Sequence, residues 1–287
     1  MDRRMFALRQ PAAAAVSALG AWWGMAAPAV AQSSFKLQTP TALPPTDQSW
    51  SFVALADGDL AAINRRGANG KVEIHVLKAD SKYQRFALRT ETELAAVDDN
   101  FDFVALPNRD IAGINRTGFN GRTEIHVFDA GKGYKAFKLQ TPTALPASDR
   151  RWSFAADGDA NLVCINRLGA SGKTEIHVLD AGKKYDRFKL QTESALPATD
   201  STWDFGAVSN GDVVCINRNG ESGKTELHVL DAAKAYKRFK LQTPTALGPA
   251  DDAWKFAVRG NGDVMAVMMR GGASGKTELH VFGSSKA

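Results

Sequence analysis

Apolar and polar positions in this chain alternate in short runs. In the first full unit, Trp50 to Leu55, Leu60 to Asn64, Val72 to Leu77 and Phe86 to Thr90 are rich in Val, Ile, Phe and Trp, while Gly, Asn, Asp and Pro fill the gaps. Runs of that length and content predict β-strands joined by turns, here called A to D, and give no support to helices. Asp57-Gly58-Asp59 is a tight turn between A and B, matched further along by Asp157-Gly158, Asn210-Gly211 and Asn261-Gly262. Arg65 to Gly70 joins B to C, Lys78 to Arg85 joins C to D, and stretches such as Pro40 to Ser49 lead from D to the next A.

The same four runs recur along the chain. All five histidines stand in the phrase Glu-[Ile/Leu]-His-Val, at His75, His126, His177, His228 and His280, so they are 51, 51, 51 and 52 residues apart. A fixed period of this length marks a repeat architecture. Four antiparallel strands written five times predict an all-β fold, a five-bladed β-propeller of four-stranded antiparallel blades. A β-trefoil needs three repeats, a helical solenoid needs helices, and a β-helix has shorter coils. The chain ends agree with the propeller. Strand D appears first as Phe35-Lys36-Leu37-Gln38, ahead of the first strand A, whereas the last unit stops after strand C at Phe282. Pairing of the N-terminal strand with the last blade is therefore expected to close the ring and remove two exposed sheet edges.

Residues 1–31 lie outside the repeat. Arg3-Arg4-Met5-Phe6, an Ala-rich stretch through Trp22 and Trp23, and the small-residue site Ala29-Val30-Ala31 predict a twin-arginine-like export signal cut after Ala31. As a membrane anchor the stretch is short and is interrupted by Pro11 and Pro28. The expected mature protein is residues 32–287, a single propeller domain in a bacterial periplasm or secreted, with no integral membrane segment. Loss of Asp2, Arg3, Arg4 and Arg9 lowers the formal charge from +5 to +3, which makes no case for nucleic acid. Cys164 and Cys215 fill one place in neighbouring repeats, where Ala62 and Gly113 stand elsewhere. Equivalent positions on adjacent blades lie too far apart for a bridge, so free thiols at a small buried position are expected.

Comparison of the five units picks out the candidate site. Asp47, Asp98, Asp149, Asp200 and Asp251 stand three residues before an aromatic that opens strand A: Trp50, Phe101, Trp152, Trp203 and Trp254. Strand B ends in Arg65, Arg116, Arg167, Arg218 and Arg270, preceded by Asn64, Asn115, Asn166 and Asn217 and, in the last unit, by Met269. Strand C is entered through Glu73, Glu124, Glu175, Glu226 and Glu278. In an up-and-down blade the B to C loops and D to A connectors emerge at one end, so this whole set belongs to one face of the disc; the A to B turns and the tyrosines Tyr83, Tyr134, Tyr185 and Tyr236 belong to the other. An aromatic ring flanked by Asp, Asn, Arg and Glu suits a sugar, the ring meeting C–H groups and the planar polar groups bonding hydroxyls in pairs. A packing reading stands beside it, in which the aromatic wedges between blades, Asp caps the connector and Arg pairs with Glu to hold the B to C loop. The histidines read as satisfied interblade residues. Single histidines in separate blades and short, variable turns give no metal site, no cofactor motif is present, and nucleophile elbows and phosphate-binding loops are absent.

The wording of the repeat, as in Gly172-Lys173-Thr174-Glu175-Ile176-His177-Val178-Leu179 with Tyr185, Phe188-Lys189-Leu190-Gln191-Thr192 and Ala195-Leu196-Pro197, resembles repeats of secreted FG-GAP/VCBS-like propeller proteins. The five-blade plan is also similar to that of tachylectin-type lectins. These resemblances imply an exported, non-catalytic carbohydrate-binding protein with up to one weak glycan site per blade, N-acetylhexosamine type among the candidates, gaining strength by multivalency. The alternatives are a propeller-class glycoside hydrolase or lyase, which needs one asymmetric set of acids around a single substrate, and an envelope protein-interaction scaffold with an exposed apolar patch.

Overall fold

The computed structural model describes residues 34–283. The predicted export signal and its cleavage site lie outside them. Twenty strands form five four-stranded antiparallel sheets, one per repeat. Blade 1 holds β2 (Trp50–Ala54), β3 (Leu60–Asn64), β4 (Lys71–Leu77) and β5 (Phe86–Ala95) as its strands A to D, and blade 2 holds β6 (Phe101–Ala105), β7 (Ile111–Asn115), β8 (Arg122–Phe128) and β9 (Phe137–Pro146). Blade 3 follows with β10 (Trp152–Ala156), β11 (Leu162–Asn166), β12 (Lys173–Leu179) and β13 (Phe188–Pro197), and blade 4 with β14 (Trp203–Ala207), β15 (Val213–Asn217), β16 (Glu226–Leu230) and β17 (Phe239–Pro244). Blade 5 joins β18 (Trp254–Val258), β19 (Val264–Met268) and β20 (Glu278–Phe282) to β1 (Phe35–Pro40) from the other end of the chain.

Ring closure takes the expected form. Gln38 lies opposite His280 and Pro40 opposite Glu278 in the β1/β20 ladder, and the Lys36 ammonium reaches the buried Asp263 carboxylate at 2.7 Å. Strand D is longer than its apolar run in blades 1 to 3. Its register slips by a bulge and pairing then resumes, so that Lys71 faces Ala95 and Arg122 faces Pro146. Pro142 is tolerated inside β9 because that strand is the outer edge of its blade, with no further strand to receive its missing N–H.

The A strands of successive blades neighbour one another and so surround the axis. The core lies between blades. Leu60, Ala62 and Leu77 of blade 1 pack with Met265, Val267 and Val281 of blade 5, and the other boundaries repeat this with Val, Ile, Leu and Phe. Cys164 and Cys215 are free and buried there, opposite His177 and His228. Space there is limited: at the equivalent Gly113 an added Cβ would stand 3.3 Å from the Phe128 ring and 3.4 Å from the Phe103 ring. Trp50 meets His75 edge-on at 5.2 Å and His75 meets Phe86 at 5.9 Å, and each blade repeats this row of three rings.

Candidate functional site

The connector face collects the residues that the repeat singled out, and their side chains are engaged within the fold. Each aspartate accepts the N–H two residues on: Asp47 from Ser49 at 2.8 Å, Asp98 from Asn100, Asp149 from Arg151, Asp200 from Thr202 and Asp251 from Ala253. Those bonds hold Asp47 and Asp200 below the ordinary carboxylate range, with the Ser49 and Thr202 hydroxyls as the leading donors. Asn64, Asn115, Asn166 and Asn217 cap the start of the B to C loop in the same way. Glu73, Glu124, Glu175, Glu226 and Glu278 each lie across that loop, accepting one of its N–H groups through one oxygen and approaching the following histidine with the other. A glycine beneath each glutamate leaves room for it; at Gly169 an added Cβ would sit 2.1 Å from the Glu175 Cδ. The aromatics are half-buried in the ring rows, and Trp254 is buried.

Two expectations need correction. Arginine does not pair with glutamate. Arg116, Arg167 and Arg218 instead turn toward the axis and staple the following blade: Arg116 donates to the carbonyls of Asp149 at 3.2 Å and Trp152 at 2.9 Å, Arg167 to that of Trp203 at 2.9 Å, and Arg218 to that of Asp251 at 2.9 Å. Each guanidinium also lies over the next blade's phenylalanine, Phe154, Phe205 or Phe256, at 5.1 to 5.5 Å. The second correction concerns blade 5. Met268 faces Trp254, as Asn64 faces Trp50, and the Met269 N–H bonds Ala253 just as the Arg65 N–H bonds Ser49. Met269 therefore stands in the arginine's place, fully buried, and Arg270 is an extra loop residue beside Asp252. One inserted residue in the loop, ahead of Gly272, produced the misalignment.

With these groups committed, the chemistry left on this face lies at the axis. A recess of about 470 Å³ opens at the connector end of the central channel. Its floor is Phe52, Phe103, Phe154, Phe205 and Phe256, one from each blade, and its wall carries Ser51, Asp102, Ser153, Asp204 and Lys255 together with Arg65 and Arg116. The five wall residues occupy one repeat position, the second of strand A, and they differ in charge from blade to blade, whereas in the repeated set charge changes only at the arginine place, with Met269. Sequence comparison passed over them because it sought what stays constant. Their signal was the reverse: a charge change inside an otherwise fixed phrase. Asp102 is paired with Arg116 at 3.0 Å and Asp204 with Arg218 at 2.6 Å. Burial pushes the Lys255 ammonium below its ordinary range, with the Asp204 charge opposing. A neighbouring recess of about 390 Å³ brings together Asp47, Arg65, Asp98 and Arg270.

The opposite mouth is wider, about 690 Å³, and chemically plainer. Alanines, glycines and Pro107 make much of its wall, Asp57 is paired with Arg109, and Arg259 donates to the Gly58 carbonyl. Between the mouths the phenylalanines narrow the channel. Exposed large apolar side chains on the described residues are Phe119 and Leu168, on neighbouring B to C loops. No helix among the described residues is long and apolar enough to cross a membrane.

No family model matches the chain, and no curated protein sequence matches it. Solved structures share the fold. An exo-β-1,3-galactanase from Phanerochaete chrysosporium, solved with β-1,3-galactotriose, superposes with a TM-score of 0.50 at 12% identity over 85% of this chain. The chain spans 63% of that protein's length. An arabinanase from Bacillus subtilis gives 0.48 at 10% identity, covering 86% of this chain and 96% of its own, and an endo-arabinase from Bacteroides thetaiotaomicron gives 0.47 at 13%, covering 87% and 98%. The first of these likenesses concerns the fold alone.

Proposed function

We propose that this protein is a non-catalytic saccharide-binding propeller with one site per chain, in the axial recess of the connector face. One observation carries the reading: the repeated Asp, Asn, Arg and Glu groups are occupied by loop and interblade bonds, whereas the recess combines an aromatic floor with hydroxyl, carboxylate and ammonium groups of unequal kind. Aromatic surface with a few oriented polar groups in a concavity of this size is what a short saccharide needs. The site-per-blade form of lectin binding is the less supported version, since each aromatic is already packed edge-on against a histidine. Calorimetric titration of residues 32–287 with the oligosaccharides that bind on a glycan array tests this. A stoichiometry near one supports the axial site; a stoichiometry near five restores one site per blade.

A hydrolase reading draws on one feature, the two carboxylates Asp102 and Asp204 on the same recess. Both are tied to arginines, which favours structural and binding roles over proton transfer. Release of reducing ends from an oligosaccharide that binds, abolished by Asp102→Asn or Asp204→Asn, would establish catalysis.

A further inference from the structure

The cations around the recess outnumber the carboxylates that face them. At the rim Asp99 is paired with Arg150, and in the wall Asp102 with Arg116 and Asp204 with Arg218. That leaves Arg65, Arg167 and Lys255 with no carboxylate within ion-pair distance among the described residues. Arg65 spends its donors on the carbonyls of Gln48 and Ser49, and Arg167 on those of Arg150 and Trp203. Among the described residues Lys255 has neither hydrogen bond nor ion pair, although it is half-buried and a serine or aspartate stands at its position in each other blade.

The placement of these charges follows the repeat. Blades 1 to 4 supply one cation each at the end of strand B, as Arg65, Arg116, Arg167 and Arg218. Blade 5 has Met269 there, buried in the boundary with blade 1, and carries its cation on strand A as Lys255. One cation per blade is preserved, yet the fifth has moved from the interblade staple to the recess wall. It has also been released from the work the arginines do. A half-buried ammonium with no partner costs stability, and an anion supplied from outside would offset that cost.

Resting on the saccharide reading above, we infer that the ligand of the axial recess is an acidic saccharide, whose carboxylate or sulfate is held by Lys255 of blade 5, with Arg65 of blade 1 on the wall of the same recess. The flexible point charge of lysine accepts an anion without the fixed geometry an arginine fork imposes. The phenylalanine floor takes the apolar face of the sugar ring, and Ser51 and Ser153 offer hydroxyls to its neutral edge.

A glycan array that pairs each acidic oligosaccharide with its neutral parent, followed by titration of the best acidic binder at two salt concentrations, tests the inference. Acidic members should bind in preference to their parents, with affinity falling as salt rises. Lys255→Met should weaken the acidic ligand by at least ten-fold, Lys255→Arg should recover part of that loss, and Lys255→Met should melt no lower than the parent, because an unpaired charge has been replaced by an apolar side chain. Equal binding of acidic and neutral members, or a Lys255→Met affinity unchanged from the parent, overturns the charge assignment while leaving a saccharide site in place. Binding to no saccharide, with titration by inorganic phosphate alone, overturns the saccharide reading itself.

Discussion

The sharpest separation of framework from ligand site comes from Trp152. Its indole opens strand A of blade 3, lies edge-on to His177 with ring centroids 5.2 Å apart, and is half-buried. The backbone carbonyl of the same residue accepts the Arg116 staple at 2.9 Å, so the ring and the interblade bond are set by one residue. Removing a fully buried Trp costs about 3–5 kcal/mol. Partial burial reduces this to about 2–3 kcal/mol, and loss of the edge contact adds about 0.5–1.5 kcal/mol. For a domain of this size that total lowers Tm by roughly 5–12 °C. Trp152→Ala should therefore melt well below the parent by scanning calorimetry, while saccharide stoichiometry in the folded protein is unchanged. Trp152→Phe should recover most of the loss, since blade 2 already functions with Phe101, whose ring stands 5.9 Å from His126. A Trp152→Ala protein that melts with the parent and has lost a fraction of its saccharide sites would refute the framework reasoning and return the indole to the role of sugar platform.

Other consequences are equally direct. Gly169→Ala should drive Glu175 off the Ser171 N–H and hydroxyl and cost about 1–3 kcal/mol in calorimetry, whereas Gly248→Ala, with open space around the new methyl, should be silent. Lys240 bonds the buried Asp212 carboxylate through both oxygens, at 2.7 and 2.8 Å, and its own side chain is 37% exposed. After discounting for that exposure, Lys240→Met should cost about 1–2 kcal/mol in urea denaturation. Blade 3 provides the internal control. Asn161 replaces the aspartate there, so Lys189→Met should be neutral, and equal losses at the two lysines would contradict the pairing argument. Burial holds His75, His126, His228 and His280 below the ordinary imidazole range, against the opposing pull of their glutamates. Their neutral form belongs to the fold and the unfolded chain takes up protons first. This share of stability is thus present above about pH 6.5 and lost as pH falls through the lowered folded values. Urea midpoints at pH 7.5 and pH 5.5 should differ in that sense; a higher midpoint at pH 5.5 would exclude it.

The fold was legible because every blade repeats the same compromise between strand pairing and packing. The Glu-x-His-Val phrase located strand C, and the displaced copy of strand D at Phe35 foretold the closure that Gln38 and His280 now make. The candidate site was much less legible, for a physical reason. A residue that is constant in all blades meets a demand present in all blades: Asp47 and its equivalents cap a connector, and Glu73 and its equivalents pin a loop over a glycine. Constancy therefore identified the framework. The error at Met269 and Arg270 has a similar origin. The last spacing of 52 announced an insertion, but the residue types alone placed the arginine by likeness, and the strand register, Trp254 against Met268, was needed to put Met269 in the staple position.

The variation at the second position of strand A follows from the same compromise. That residue faces the axis, so it can change without disturbing an interblade contact, and each change is answered by the residue at the end of strand B. Where the wall residue is Asp102 or Asp204, the arginine beside it gains a carboxylate partner; where it is Ser51 or Ser153, the arginine donates to carbonyls alone. Where it is Lys255, the neighbouring arginine has become Met269 and has withdrawn into the core, which removes the like-charge repulsion the pair would have suffered. A ring of five arginine staples would present the same environment in five directions. An inward lysine on blade 5 alone gives the recess a direction, because the other four blades present serine or aspartate at that position. A ligand with a charge at one end would be held there in one orientation, which five equivalent blades cannot impose.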